Sequence, residues 1–146
     1  MQFFAALLAT LVLSRKASAD FWITHGTAQW QELGLWEEWD GAQFLPVKCN
    51  CHQVSSLGGS EWNEDVSGDN QGVRLKGSTY DPEVIGFNNK LGHYTIYKDR
   101  GYDMVDLRDN KVETCFLNTT RLYDCRRQEI GYFGTSMVFC SSYVQA

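Results

Sequence analysis

Four ionisable residues occur along the chain in an order that suits phosphodiester cleavage: His52, Glu64, Arg74 and His93. Cleavage beside a ribose needs a base for the 2′-hydroxyl, an acid for the leaving oxygen, and a cation beside the phosphoryl oxygens. Histidine and glutamate supply the acid and the base, and arginine supplies the cation. Glu61 is an alternative to Glu64. These residues are therefore the candidate catalytic set of a small ribonuclease.

Tryptophans beside carboxylates form a second constellation. The segment Trp36–Asp40 alternates tryptophan with acidic residues, and Trp62 follows in a polar stretch. Glycan binding needs a flat aromatic face and a few hydrogen-bonding groups, whereas glycoside hydrolysis also needs two carboxylates at a defined separation. Neighbouring residues on one segment do not fix that separation. Trp36, Trp39 and Trp62 are therefore candidate binding residues, with packing in the core as their alternative role.

The chain has an odd number of cysteines, so at least one of them lacks an intrachain partner. They are Cys49, Cys51, Cys115, Cys125 and Cys140. A hairpin centred near Thr120 would place Cys115 opposite Cys125, which predicts a disulfide between them. Cys140 is then expected to bond Cys49 or Cys51. The remaining cysteine is either buried or joins two chains in a covalent homodimer.

The segment Cys49-Asn50-Cys51-His52 contains the residue types that bind zinc. Structural zinc sites, however, usually separate paired cysteines by two to four residues and need a second ligand pair. Neither feature is evident in the sequence. We therefore expect neither a metal ion nor another cofactor.

The first 19 residues have the pattern of a secretory signal peptide. An apolar run, Phe3–Leu13, is followed by the small residues Ala17-Ser18-Ala19, which predicts cleavage before Asp20. The run is shorter than the roughly 20 residues that cross a bilayer, and no later segment is longer, so no membrane span is expected. The sequence predicts a single extracellular domain over 20–146.

Acidic side chains outnumber basic ones, 18 to 13, and the formal net charge is −5. Loss of the predicted leader would remove two basic residues and no acidic one. Nonspecific affinity for nucleic acid depends on clustered lysine and arginine that neutralise phosphates. The charge therefore argues against a nucleic-acid-binding protein.

The C-terminal half alternates apolar and polar residues, as strands with one wet face do. Val73 and Leu75 alternate with charged neighbours, and Tyr94 and Ile96 share one face. Turn sequences at 98–101 and 108–111 separate the predicted strands. Those strands cover 93–97, 102–107, 112–117 and 135–143. The pattern predicts an antiparallel meander.

The N-terminal part of the predicted domain is less regular. Trp30, Leu33 and Trp36 fall at helical spacing, although Gly34 interrupts them, so 28–39 is expected to be a short helix or an aromatic loop. A stretch rich in Gly, Ser, Asn and Asp over 55–72 predicts a long surface loop. Together these elements predict a mainly β fold, an antiparallel β-sandwich or partly open barrel, stabilised by disulfides, with a short N-terminal helix or loop packed on it.

Asn118-Thr119-Thr120 is an N-glycosylation sequon. The predicted hairpin between Cys115 and Cys125 places it at the tip, where a glycan has room. Asn118 is therefore a candidate glycosylation site in a eukaryotic host.

A short leader is followed by an aromatic-rich acidic domain with few cysteines, which includes Asp20-Phe21-Trp22, 87–97 and 135–140. In this pattern the chain resembles small secreted proteins of filamentous ascomycete fungi, among them effector and elicitor candidates. The resemblance implies secretion and a role in host interaction or virulence, and it assigns no functional residue. In residue types and order, the set of His52, Glu64, Arg74 and His93 is also similar to small acidic fungal ribonucleases specific for guanosine.

These observations favour a secreted, noncatalytic, effector-like protein that binds a host protein or a cell-wall glycan. The alternative is a small secreted hydrolase, with a ribonuclease ranked ahead of a glycosidase. Binding ranks ahead of hydrolysis because glycan binding needs only a flat aromatic face and a few hydrogen-bonding groups, whereas hydrolysis also needs two carboxylates at a defined separation.

Overall fold

The structure is a computed structural model, and it describes residues 20–32, 34–127 and 130–141. The predicted leader and the end of the predicted strand 135–143 lie outside these residues. The described strands are β1 (Phe21–Glu32), β2 (Leu35–Pro46), β3 (Ser60–Glu61), β4 (Gly72–Ser78), β5 (Asp81–Asn89), β6 (Gly92–Tyr97), β7 (Asp103–Val105), β8 (Lys111–Leu117), β9 (Leu122–Arg127) and β10 (Ile130–Cys140). One α-helix, α1 (Cys51–Leu57), and one 3₁₀ turn, Lys98–Arg100, complete the described elements.

The strands form one antiparallel sheet that is nearly closed into a barrel. Its order is β3-β2-β1-β10-β8-β7-β6-β5-β4, and β9 also pairs with β10. A single parallel bridge between Trp62 and Val73 connects the two ends of this order. The predicted antiparallel, mainly β fold with a partly open barrel is confirmed, and β4 to β8 form the expected meander.

The helix or loop predicted over 28–39 is wrong, because this segment belongs to a long hairpin of β1 and β2. Pairing runs from Phe21 opposite Pro46 to Glu32 opposite Leu35. Gly34 lies in the turn with φ of +82°, a backbone conformation that glycine adopts without steric cost. The helix α1 follows the hairpin instead of preceding the sheet.

Local sequence determines where α1 begins and ends. Asn50 accepts a hydrogen bond from the Gln53 backbone at 3.1 Å, and the Gln53 side chain accepts one from the Asn50 backbone at 3.0 Å. This reciprocal capping box satisfies two donors at the helix start. Val54 is buried, and Gly58 ends the helix with φ of +65°. About two turns of helix are thus held against the outside of the barrel.

Apolar side chains pack on both sides of the sheet. The larger cluster fills the barrel interior and includes Phe21, Ile23, Val73, Ile85, Phe87, Ile96, Met104 and Met137. A smaller cluster lies outside the barrel and consists of Leu45, Val54 and Cys125, with Trp22, Cys49, Tyr123 and Tyr132 packed against it. Tyr94 and Leu75 pack against the interior cluster, which confirms the predicted inward faces of β4 and β6.

Both predicted disulfide pairings are wrong, although four of the five candidate cysteines are bonded. The structure pairs Cys115 with Cys140 and Cys51 with Cys125, and Cys49 is free and half-buried. The reason is that β8 and β9 do not form a hairpin with each other. Both pair with β10, whose register sets Cys115 directly opposite Cys140. A covalent dimer through Cys49 stays a prediction.

Asn118 lies between β8 and β9, which both pair with β10 and form no hairpin with each other, so its predicted position at a hairpin tip is wrong. The Asn118 backbone N–H donates to the Met137 carbonyl at 3.0 Å. Its side-chain oxygen accepts hydrogen bonds from the backbone and hydroxyl of Thr120, at 3.2 and 2.8 Å. The sequon therefore forms a compact turn between β8 and β9, with Asn118 half-buried. Its glycosylation stays a prediction.

Tyr123 makes the free energy of unfolding sensitive to alkaline pH. Its hydroxyl donates to the side-chain oxygen of the buried Gln43, and burial raises the pKa of Tyr123 to about 12. An unfolded tyrosine has a pKa of about 10. The stabilisation is complete below pH 10 and is lost as pH rises towards 12, since only the unfolded chain has released the proton there.

We therefore expect the free energy of unfolding to fall more steeply with pH in the wild type than in Tyr123→Phe between about pH 10 and 11.5. The steepest extra slope is about 1.4 kcal/mol per pH unit. Urea unfolding across this range measures it. Parallel pH profiles for the two proteins would contradict the prediction.

Candidate binding cleft

A cleft opens where the barrel does not close. Among the described residues, the edge of β2 pairs with β3 at Gly41 and Ala42, and the single bridge between Trp62 and Val73 joins β4 to the other end of the sheet. The cleft has a volume of about 840 Å³, within the usual range for small-ligand sites. Its polar and aromatic lining includes His25, Asp40, Trp62, Glu64, Arg74 and Lys76.

The hairpin and β3 bring three of these side chains together. Asp40 on β2 pairs with Thr27 on β1. His25 lies two residues before Thr27 on the same face of β1, so His25 and Asp40 are diagonal neighbours, and long side chains can bridge that distance. The His25 Nε2 and Asp40 Oδ1 atoms are 2.6 Å apart. The His25 ring stacks on Trp62, with centroids 5.9 Å apart and planes 26° from parallel.

Trp62 occupies the junction between the two ends of the sheet. It follows β3 directly and bridges to Val73, while the next residue, Asn63, donates its backbone N–H to the Val73 carbonyl at 2.8 Å. Trp62 is half-buried and packs against the interior cluster. The indole is thus anchored on one side by the core, and it lines the cleft.

The two cations lie on the outer face of β4. Val73 points into the barrel, so its neighbour Arg74 and then Lys76 point outward. Lys76 forms an ion pair with Glu83, with Nζ and Oε2 3.3 Å apart. Hydrogen bonds from Ser67 lower the pKa of Asp65, and the charge of Arg74 lowers it further.

The proposed catalytic set does not form one site. Glu64 and Arg74 both line the cleft. His52 lies on α1, in a depression beside Cys51 and Cys125, and His93 lies on β6, in another depression with Asp106 and Asp109. The histidine that lines the cleft with Glu64 and Arg74 is His25, which is not one of the predicted catalytic residues.

The three candidate tryptophans are also dispersed. Trp62 lines the cleft, whereas Trp36 lies near the tip of the hairpin with 71% of its surface exposed. The Trp39 indole lies against Gly41 and Gly59, where an added Cβ would collide with it. Trp39 therefore packs on the backbone, and Trp62 is the candidate that the fold combines with polar groups.

Within residues 20–32, 34–127 and 130–141, no three His, Cys, Asp or Glu side chains are arranged to hold a metal ion. In the same part of the chain, no helix has the length and apolar character needed to cross a membrane. Comparison of this chain with protein-family models, curated proteins and solved structures gave no match.

Proposed function

We propose that the protein is a secreted, noncatalytic, effector-like binder of a cell-wall glycan, and that the glycan lies in the cleft against Trp62. The observation that carries this proposal is a half-buried indole anchored by the core and surrounded by polar side chains from separate strands. The apolar face of a sugar ring packs on such an indole, and its hydroxyls bond to flanking carboxylates and amides. A glycan is favoured over a protein partner because the binding surface is a concave cleft, which an extended sugar chain can enter.

Two disulfides support secretion, since such bonds persist in oxidising compartments. The signal peptide predicted over 1–19 also supports secretion. Extracellular action and the resemblance to fungal effector candidates are consistent with a wall polymer as the ligand. We further propose that Asn118 is glycosylated, on the β8–β9 turn and away from the strands that line the cleft.

Replacement of Trp62 by alanine is expected to weaken oligosaccharide binding at least about tenfold, which corresponds to about 1.4 kcal/mol. The aromatic platform is lost, while the polar groups of the cleft remain. Glycan-array screening of the wild type selects an oligosaccharide, and calorimetric titration then measures both affinities. Trp62→Phe, which retains an aromatic ring, is expected to lose less affinity than Trp62→Ala.

The matched control is Trp36→Ala, because Trp36 is an exposed tryptophan outside the cleft. Its affinity should equal that of the wild type. Equal losses in Trp62→Ala and Trp36→Ala, or failure of the wild type to retain any glycan, would contradict the proposed function. Circular dichroism of each variant separates loss of binding from loss of fold.

A hydrolase is the second candidate, and one contact favours it. His25 is held by Asp40 at 2.6 Å in the same cleft as Glu64 and Arg74. An imidazole positioned by a carboxylate is a suitable acid or base, and a second carboxylate can exchange the other proton. RNA incubated with the wild type, His25→Ala and Glu64→Gln tests this candidate. Cleavage that is lost in both variants would support a ribonuclease, and no cleavage of RNA by the wild type would exclude that activity.

A further inference from the structure

Two carboxylates, Asp40 and Glu64, line the cleft together with Trp62, and His25 contacts both Asp40 and the indole. Arg74 and Lys76 also line the cleft, and their side chains project from the outer face of β4. Lys76 is compensated by Glu83. Arg74 lies over Gly86 on that outer face, and its charge acts on Asp65. Each of these two cations thus lies near a carboxylate other than Asp40 and Glu64.

Glu64 is the uncompensated one of the two carboxylates that line the cleft. Asp40 is already engaged by His25, at 2.6 Å, and also lies 3.5 Å from the Thr27 hydroxyl. Within the described residues, Glu64 forms no hydrogen bond or ion pair. Its side chain is exposed, so the carboxylate is available to a ligand lying on Trp62.

A carboxylate beside an indole face discriminates between sugars by charge. A neutral hydroxyl gives Glu64 an ordinary hydrogen bond, whereas a protonated amine gives a charge-assisted bond that is roughly twice as strong. A cation near the indole face gains a further contribution from the aromatic quadrupole. An acidic sugar would instead be repelled by Glu64.

From this arrangement we infer that the cleft prefers a polymer of amino sugars with free, protonated amines, such as deacetylated glucosamine oligomers. Glu64 pairs with the ammonium group, and Trp62 packs against the sugar ring. N-acetylation of the amine removes the charge and with it the preference. This inference rests on the proposed function, because it names the glycan class for the same cleft.

The test compares three hexasaccharides of similar size by calorimetry at mildly acidic pH: a glucosamine hexamer, an N-acetylglucosamine hexamer and cellohexaose. We expect the glucosamine hexamer to bind at least about tenfold more tightly than the other two. Because charge attraction at an exposed site is screened by salt, the preference should shrink as ionic strength rises. Affinities for the two neutral hexamers should change little with salt.

The Glu64→Gln variant keeps the shape of the cleft and removes its uncompensated charge. We expect it to lose about tenfold in affinity for the glucosamine hexamer and to bind the neutral hexamers as the wild type does. Asp124→Asn is the control, because it removes an exposed, ion-paired carboxylate from β9, a strand that does not line the cleft. This variant should retain the preference, and its effect should be less than twofold.

The outcomes separate the two proposals. Equal affinity for all three hexamers, or a preference that survives Glu64→Gln, would overturn the inference and leave glycan binding intact. A preference that Asp124→Asn removes as fully as Glu64→Gln would also overturn it. Absence of binding to every hexamer and to a wider glycan array would overturn the proposed function as well.

Discussion

Replacement of both Cys51 and Cys125 by alanine is expected to lower the free energy of unfolding by about 4 kcal/mol. These cysteines are 74 residues apart, so their bond strongly restricts the unfolded chain in the chain-entropy model. It also attaches α1 to β9, beside the outer cluster of Leu45 and Val54. Urea unfolding of the wild type and the double variant measures the difference.

Cys49→Ala provides a matched control, since Cys49 lies two residues from Cys51 and carries no disulfide. Its half-buried thiol accepts a long contact from the Arg121 guanidinium, at 3.5 Å. We expect its substitution to cost less than about 1 kcal/mol. A loss as large as that of the double variant, or a peptide map that places Cys49 in the bond, would contradict the assigned pairing.

The sequence predicted the strands that have one wet face. In β4 and β6, polar residues alternate with residues that enter the barrel, such as Val73 and Ile96. Apolar and polar residues alternate there because one face of each strand packs in the barrel interior and the other faces outward. The N-terminal end of β10 also extends earlier than predicted, to Ile130. Two glycines, Gly131 and Gly134, weaken the apolar pattern over that extension.

The strands of the β1–β2 hairpin were not predicted over 28–39, and the reason is physical. Near its tip the hairpin extends beyond the packed core, so both faces are largely exposed and alternation carries no signal. Trp30 and Trp36 lie on opposite faces there, and Trp30 donates a hydrogen bond to the cross-strand Glu37 at 2.9 Å. The spacing of these tryptophans resembles that of a helix. Gly34 was the residue that correctly indicated a turn between two strands.

The cysteine pairing depends on how β8 and β9 align with β10, and no local sequence pattern specifies that alignment. A chain segment between two cysteines forms a hairpin only if its strands pair with each other. Here 118–121 joins two strands that pair successively with β10. The bond of Cys115 to Cys140 follows from that pairing.

The cleft was predictable only in part. Trp62 and Glu64 were identified from their residue types in a polar segment. Their neighbours His25 and Asp40 come from the hairpin that was misassigned, so their contact was not anticipated. The site combines residues of β1, β2 and the segment after β3. Its prediction requires the order of the strands in the sheet, which is a property of the whole fold.

The core beneath the cleft should be the most sensitive part of the barrel to truncation. Phe87 is fully buried and packs against Phe44 and Tyr94, with ring centroids 4.9 and 5.7 Å away. Phe87→Ala is expected to lower the free energy of unfolding by about 4 kcal/mol, through lost burial and an unfilled cavity. Phe87→Leu should cost about 1.5 kcal/mol or less, because most of the volume is retained. Urea unfolding distinguishes the two.

This substitution also tests how the core supports the cleft. Phe87 pairs with Val73 across β4 and β5, and Val73 in turn bridges to Trp62. Phe87→Leu keeps that backbone register, so oligosaccharide affinity should match the wild type under conditions where both are folded. Similar stability losses for the two variants would contradict a tightly packed interior at Phe87. Loss of binding in a folded Phe87→Leu protein would instead mean that Trp62 depends on the shape of the aromatic core beneath Val73 and not only on the backbone pairing.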